Sequence, residues 1–401
     1  LITAYDVDPY RGSESATGWN YPLHLSKDYK ITLVTRKNNL TNIFKYINEN
    51  KISCDNINFI GMDLPYWARF WKRGARGSFL YYYLWQAYIA LMLRPIKHQF
   101  DLCHALNFHC DWAPSFLWLL GKPFIWGPIN HNEPLPKYYI EKLGLKYKIQ
   151  EKIKFIFKQV FWVLDPFLFI CKLKADRILV GHDKVIDRLN LSRKKCILFN
   201  QIATNMPVSK VHKSFDGIFS ILFVGRGLKI KNYMSVIEGF IKAFGANVCN
   251  QFLELNLVGV GKEEALTIRR FVNKLDSNLV INVVDWVERK EVDAFYNRAS
   301  VFCFPSYEGA GMVIAEALSY SLPIITIDRN GASHELDDSC SFILSGNTYN
   351  DVIKGISESL SKLENNRAIL RNMSRKSGIH ALNNLTWSVK AERIANIYST
   401  F

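Results

Sequence analysis

None of the eight cysteines forms a CxxC pair. Zinc and thioredoxin-type chemistry are therefore not expected. Most of the cysteines stand in apolar runs, as reduced core residues do in a cytosolic protein. Long uncharged runs are also missing. SFLYYYLWQAYIALML, residues 78–93, is uncharged but only 16 residues long, whereas a membrane span needs roughly 20. FIFKQVFWVLDPFLFICKL is interrupted by Lys158, Asp165 and Pro166. Both read as buried or interfacial helices. No signal-peptide pattern opens the sequence. It begins LITAYDV, strand-like from Leu1 and without Met, so a few native residues are expected to be missing from a clipped first strand. No short-period repeat or low-complexity tract occurs. No DxD lies in a suitable strand-end loop, and Asp337-Asp338 reads as a turn, so no metal or other cofactor is expected. Acidic residues are scarce: 36 against 51 Lys and Arg, a formal charge of +15. That balance points to an anionic partner, which could be nucleic acid, anionic lipid or a phosphate-bearing substrate.

What is present is an alternation of short apolar strands and helices over 401 residues, about half of them apolar. The pattern argues for α/β layers around mostly parallel sheets. Seven strands are expected in the first half, from LITAYDV to CILFNQI. Six more, from SILFVGR to CSFIL, are expected in the second. Residues 204–217 are polar and aperiodic and carry Pro207, as a linker does. The division read from this is a domain over 1–205, a linker over 206–217 and a second domain over 218–384. A closing helix over 385–401 is expected to pack back on the first domain. In open parallel sheets ligands bind beyond the carboxyl ends of the strands. With two such domains facing each other, the site is expected in the cleft.

Two stretches carry chemistry. PSYEGAGMVIAEAL places Glu308 and Glu316 eight residues apart, with Gly309, Ala310 and Gly311 between them and a helix starting near Met312. A helix N-terminus with approachable amides is an anion site. Glu308 can reach one side of a bound phosphate, and Glu316 can accept hydrogen bonds from a sugar diol. Against this stands an ordinary strand-loop-helix turn with Glu316 on a solvated face. SILFVGRGLKIKN ends a strand at Gly225 and offers Arg226 as a planar fork and Lys231 as a point charge. Together they can neutralise a diphosphate without a metal. The alternative is a solvated basic turn around Lys229.

These two motifs together resemble the family 4 glycosyltransferases, retaining enzymes of the GT-B fold. The E-x7-E element stands as Glu308 to Glu316 and the GR-x4-K element as Gly225, Arg226 and Lys231. RGSESATGWNY, LYYYLWQ, DLCHALNF, FIWGPI, ADRILVGH and VDWVERKEVDAFYNRASVFCFPS are similar to other parts of the family, so the likeness runs along nearly the whole chain. The resemblance implies two Rossmann-like domains facing each other across a cleft. It implies a role for each matching residue. Glu308 would contact the donor sugar, while Gly309, Ala310, Gly311 and Met312 would offer amides to sugar and diphosphate. Glu316 would hold the ribose. Arg226 and Lys231 would stabilise the departing nucleotide. Gly12 and Ser13 would line the phosphate from the first domain. The backbone at Trp286 and Val287 would meet the base. His104 fits the family's histidine position best among His104, Asn107, His109 and Asp111, although a lone histidine here is more often a satisfied core residue. The sequence departs from the family at Ala310, where a large apolar residue is frequent. It departs again at Asn130, His131 and Asn132, where glycines are usual.

The first half also interleaves cations with aromatics. Arg69, Lys72, Arg73 and Arg76 sit among Trp67, Phe70, Trp71 and Phe79. Lysines from Lys142 to Lys158 sit among Phe155, Phe157, Phe161 and Trp162. Such a surface suits the inner face of an anionic membrane, or single-stranded nucleic acid, or is a solvated face over a normal core. The preferred reading is a cytoplasmic enzyme, peripheral on the plasma membrane. It would move a sugar from a nucleoside-diphosphate sugar to a glycan or lipid-linked acceptor in capsule, exopolysaccharide or lipopolysaccharide synthesis. An inert GT-B-like scaffold that binds nucleotide or glycan is the alternative. A nucleic-acid binder lacks any RRM, KH or helix-turn-helix element, and a phosphorylase would want a cofactor-lysine motif that is not found.

Overall fold

The computed structural model of the chain describes all residues except 75, 108, 109, 131, 133, 209–212, 214, 246–251 and 276–278, and also leaves out the side chains of Asn107 and Lys142. His109 and His131, singled out above, lie outside the described residues, as does part of the linker. The first seven strands are β1 (Ile2–Ala4), β2 (Ile31–Thr35), β3 (Ile57–Gly61), β4 (Cys103–Asn107), β5 (Phe124–Ile129), β6 (Arg177–Val180) and β7 (Cys196–Leu198). The other six are β8 (Phe219–Val224), β9 (Leu253–Val258), β10 (Val280–Val284), β11 (Val301–Cys303), β12 (Ile324–Ile327) and β13 (Ser341–Leu344). They form a seven-stranded sheet of order β3-β2-β1-β4-β5-β6-β7 and a six-stranded sheet of order β10-β9-β8-β11-β12-β13. Every described strand pairing is parallel. Each sheet is thus Rossmann-like, and its order reverses at one point: between β1 and β4 in the first, between β8 and β11 in the second. Parallel strands covered on both faces read as continuous apolar runs rather than alternations. FIWGPI of β5 and FSILFV of β8 are buried at every position.

The chain forms two compact units, which follow chain order except in two places. Unit 1 comprises Leu1–His131, Lys152–Gln201 and Trp387–Phe401; unit 2 comprises Asn132–Glu151 and Ile202–Thr386. Tyrosines explain the first exception. Within unit 2, the Tyr138 hydroxyl donates to the Gly346 carbonyl at 2.5 Å and the Tyr139 hydroxyl to the Lys229 carbonyl at 2.6 Å. The Tyr139 ring lies 5.5 Å from Tyr307 and 6.0 Å from Tyr349. In unit 1 the closing helix, Trp387–Tyr398, is held by Trp387 edge-on to Tyr21 and by the Tyr29 hydroxyl on the Ala395 carbonyl. In the linker, Lys213 is engaged rather than solvated. Its ammonium donates to the carbonyls of Tyr296, Asn297 and Ala299 at 2.5–3.0 Å, at the carboxyl end of the helix Arg289–Arg298. A cation there offsets the negative end of the helix dipole and satisfies terminal carbonyls.

The two near-spans are helices. Ser78–Leu93 buries Tyr81, Tyr82, Trp85, Ile89 and Leu93 in the unit 1 core. In the second stretch, a helix over Leu145–Leu164 ends at Asp165. This residue caps the next helix, Pro166–Lys174, by accepting from the amides of Phe167 and Leu168. No described helix is long and apolar enough to cross a membrane.

Candidate donor site at the strand ends of unit 2

The order of the second sheet reverses between β8 and β11, and the carboxyl ends of the strands at such a point are where open parallel sheets bind ligands. The β8 loop carries Arg226 and Lys231; the β11 loop carries Glu308. They are tied together by backbone: the Tyr307 amide donates to the Ile230 carbonyl at 2.9 Å, and the Ser306 hydroxyl reaches the same carbonyl. The Lys231 ammonium therefore meets both carboxylate oxygens of Glu308, at 2.6 and 2.7 Å. Phe304 lies under the ammonium, 5.0 Å from ring centre. Arg226 is exposed and has no ion-pair partner among the described residues. Lys229 is neutralised elsewhere, by Glu264 at 2.8 Å.

The helix Met312–Ser319 starts after Gly311, whose φ of +84° favours glycine. The loop before it is braced from several sides. The Ser306 hydroxyl accepts from the Glu308 amide, and the Gly331 amide donates to the Glu308 carbonyl at 2.8 Å. A Cβ on Gly331 would fall 1.7 Å from the Gly309 carbonyl oxygen, so only glycine allows this approach. Asn330, fully buried, donates to the Ser306 carbonyl and accepts from the Ala332 amide. The Gly309 amide is taken by the Asn132 side chain at 3.0 Å. Gly309 thus does not present a vacant donor as expected from the sequence. The amides of Ala310, Gly311 and Met312 are not hydrogen-bonded among the described residues.

Glu316 is not on a solvated face. It is buried, with one carboxylate oxygen on Arg289 Nη1 at 2.9 Å and the other accepting from the Tyr296 hydroxyl at 3.1 Å. Burial, and then the Glu316 charge, push the Tyr296 phenol well up, so it stays a donor. A carboxylate has about four lone-pair directions; these contacts use two and leave room for a diol. Neither partner was foreseen from the sequence. Arg289 and Tyr296 are seven residues apart on the helix Arg289–Arg298, and that spacing on one helical face was the available signal. Trp286, 74% exposed, and Val287 follow the end of β10.

In unit 1, Gly12 precedes the helix Ser13–Leu25, and both Gly12 and Ser13 are exposed. His104 is different. It is fully buried in β4, accepting from the Tyr398 hydroxyl at Nδ1 and donating from Nε2 to the Gly127 carbonyl, both at 2.6 Å. Both ring nitrogens are engaged, so the residue holds the core together instead of facing a ligand, which corrects the catalytic role expected of it. Asp111, also buried, pairs with Arg188 at 3.2 Å.

These two groups titrate in opposition. Burial lowers His104 from 6.5 to about 4, so its stability contribution is complete above pH 6.5 and is lost as pH falls toward 4. Burial raises Asp111 from 3.8 to about 6, so its contribution is complete below 3.8 and is lost as pH rises through 6. On acidification the aspartate offsets the histidine. Asp111→Asn is expected to steepen the loss of stability between pH 7 and 4 by about 2 kcal/mol, at 1.36 kcal/mol per pKa unit. Urea melts at the two pH values check this, and parallel curves for variant and parent would refute it.

Metal-ligating groups come together once among the described residues, at Asp337, Cys340 and His380. His380 Nδ1 faces Asp337 at 3.3 Å, its Nε2 donates to the Glu335 carbonyl, and the Cys340 thiol donates to the Asp337 carbonyl. The trio is satisfied by itself, in the turn expected there.

Residues 208–378 match the family described as glycosyl transferases group 1. The capsular polysaccharide biosynthesis glycosyltransferase CapM of Staphylococcus aureus is 27% identical over 208 residues, 50% of this chain and 51% of that protein. The amylovoran biosynthesis glycosyltransferase AmsD of Erwinia amylovora is 27% identical over 168 residues, 40% of this chain and 45% of that protein. The chain thus spans about half the length of these curated relatives. Among solved structures, sucrose-phosphate synthase from Thermosynechococcus elongatus superposes with a TM-score of 0.64 at 13% identity, covering 100% of this chain and 98% of that one. Anabaena HepE, solved with UDP and glucose, gives 0.61 at 11% identity, covering 100% and 99%. WaaG, a glycosyltransferase involved in lipopolysaccharide biosynthesis, gives 0.60 at 14% identity, covering 99% and 98%. These likenesses show the fold, GT-B with two Rossmann-like domains.

Proposed function

We propose that the chain, whose residues 208–378 match the group 1 glycosyl transferases, transfers a glycosyl group, with net retention, from a nucleoside-diphosphate sugar to a glycan or lipid-linked acceptor. The pathway class we infer is capsule, exopolysaccharide or lipopolysaccharide assembly, in keeping with the relatives' names. The enzyme would work in the cytoplasm against the inner face of the membrane.

One observation carries the reading. The Lys231–Glu308 pair stands at the carboxyl ends of the neighbouring strands β8 and β11, just before the amides of Ala310, Gly311 and Met312, which have no hydrogen-bond partner among the described residues. The diphosphate would meet those amides together with Arg226 and Lys231. Charge builds on the leaving diphosphate in the transition state, and preorganised cations and N–H groups stabilise it there more than in the ground state. Glu308, released from part of its contact with Lys231, would accept from the donor sugar's hydroxyls. Glu316, held by Arg289 and Tyr296, would take the ribose diol, with the base near Trp286 and Val287. An inert scaffold would not need Arg226, Lys231, Glu308 and Glu316 together.

A panel of nucleotide sugars screened by thermal shift tests the reading. A true donor at 100 times its dissociation constant adds about 2.7 kcal/mol of stability, and no shift from any of the panel would refute it. Because the cations of the site take the diphosphate charge, transfer is expected to persist in excess EDTA. Complete loss restored by Mg²⁺ or Mn²⁺ would overturn that assignment.

A further inference from the structure

We infer that the chain docks on an anionic bilayer through the helix Leu145–Leu164, chiefly its unit 1 part from Lys152 onward, lying in the plane of the lipid interface. This deepens the membrane side of the proposed function but needs neither the donor site nor the reaction to hold. The helix has 20 residues and not one is buried. Compare the helix Tyr349–Asn365, whose apolar stripe Val352, Ile356, Leu360 and Leu363 is buried in unit 2. In the unit 1 part of Leu145–Leu164, Ile153, Ile156, Val160, Val163 and Leu164 are 48–79% exposed. Their spacing of three and four residues places them on a single stripe. The protein-facing side is different: Phe161 rests on Trp112 with ring centres 5.2 Å apart, and Trp162 lies under Arg188. The next helix, Pro166–Lys174, continues the exposure with Phe167, Phe169 and Leu173.

The second basic-aromatic stretch adjoins this one. Trp112 contacts Phe157 at 6.1 Å and Phe79 at 5.3 Å. Before Phe79 stand Tyr66, Trp67 and Phe70, 64–77% exposed, among Arg69, Lys72 and Arg73. The charge identifies the occupant. The helix Leu145–Leu164 carries five lysines and one acidic residue, Glu151. Protein interfaces are depleted of lysine. An outward apolar stripe flanked by lysines and aromatics is instead the pattern of a helix buried to its apolar face in anionic lipid.

The test is co-sedimentation with vesicles of phosphatidylglycerol and phosphatidylcholine, and of phosphatidylcholine alone. The parent is expected to bind the anionic vesicles more tightly. The triple change Ile153→Asp, Ile156→Asp and Val160→Asp, all at exposed positions, should weaken that binding at least ~tenfold, since lipid affinity scales with buried apolar area. Lys152→Glu with Lys154→Glu should abolish the preference for anionic lipid. Nucleotide binding should be unchanged in both variants. Absence of lipid binding by the parent, or equal binding by parent and triple variant, would overturn the inference. So would a lipid-free dimer, seen by light scattering, that the triple variant dissociates, because the stripe would then belong to a second copy. Lipid binding without donor binding would remove the glycosyltransfer reading and leave this one standing.

Discussion

Lys231→Ala is expected to lower kcat by roughly 10²–10³-fold, the usual cost of removing one preorganised group that stabilises developing negative charge. The side chain is pinned by both Glu308 oxygens and by the Phe304 ring before any substrate arrives. Little reorganisation is then needed when the diphosphate departs. The change should be small in thermal stability, because the Glu308 carboxylate keeps 23% of its surface in water and can be solvated. Lys231→Arg should recover part of the rate, since the charge returns while the geometry does not. Release of nucleoside diphosphate, followed alongside thermal melts, reads both effects. A kcat within a few-fold of the parent would remove Lys231 from the leaving-group site.

Glu316→Ala is expected to act on binding and folding together. If the carboxylate takes the ribose diol, its loss should weaken nucleotide and nucleotide-sugar alike, by roughly 1.5–3 kcal/mol for charge-assisted hydrogen bonds. It also strands the hydroxyl of Tyr296, which is fully buried; an unsatisfied buried donor costs roughly 1–3 kcal/mol. Tyr296→Phe in the Glu316→Ala background should restore part of the stability and none of the affinity. Calorimetric titration with the free nucleoside diphosphate separates the two effects. Unchanged affinity in Glu316→Ala would sink the ribose role and leave the residue as a structural partner of Arg289 and Tyr296.

The strands were legible because parallel strands covered on both faces are short continuous apolar runs, and such runs stand out locally. All thirteen are found where the runs lie. The start of the helix at Met312 was legible for a similar reason, since Gly309 and Gly311 punctuate the chain just before it. The resemblance to family 4 rested on the same local stretches. It could not give the state of individual groups. His104 shows why. A histidine after DLC in a strand looks alike in sequence whether it faces a ligand or a core, and the hydroxyl that satisfies it comes from Tyr398, 294 positions away.

Composition and periodicity by themselves determined the two parallel-sheet units, the excess of positive charge, and the order of Arg226, Lys231, Glu308 and Glu316 along the chain. The tertiary structure alone decided which of these groups meet. Lys231 reaches Glu308 because β8 and β11 are neighbours across the point where the sheet order reverses. Asn132 takes the Gly309 amide because the hydroxyls of half-buried Tyr138 and buried Tyr139 tie residues 132–151 into unit 2. Ile153, Ile156, Val160 and Val163 of Leu145–Leu164 face outward because Phe157, Phe161 and Trp162 are the side chains that meet Trp112 and Arg188 of unit 1. Local pattern reports what a residue prefers. A hydrogen bond or ion pair needs two groups within about 3 Å, and for groups far apart in sequence that distance is set by how the strands are ordered and packed.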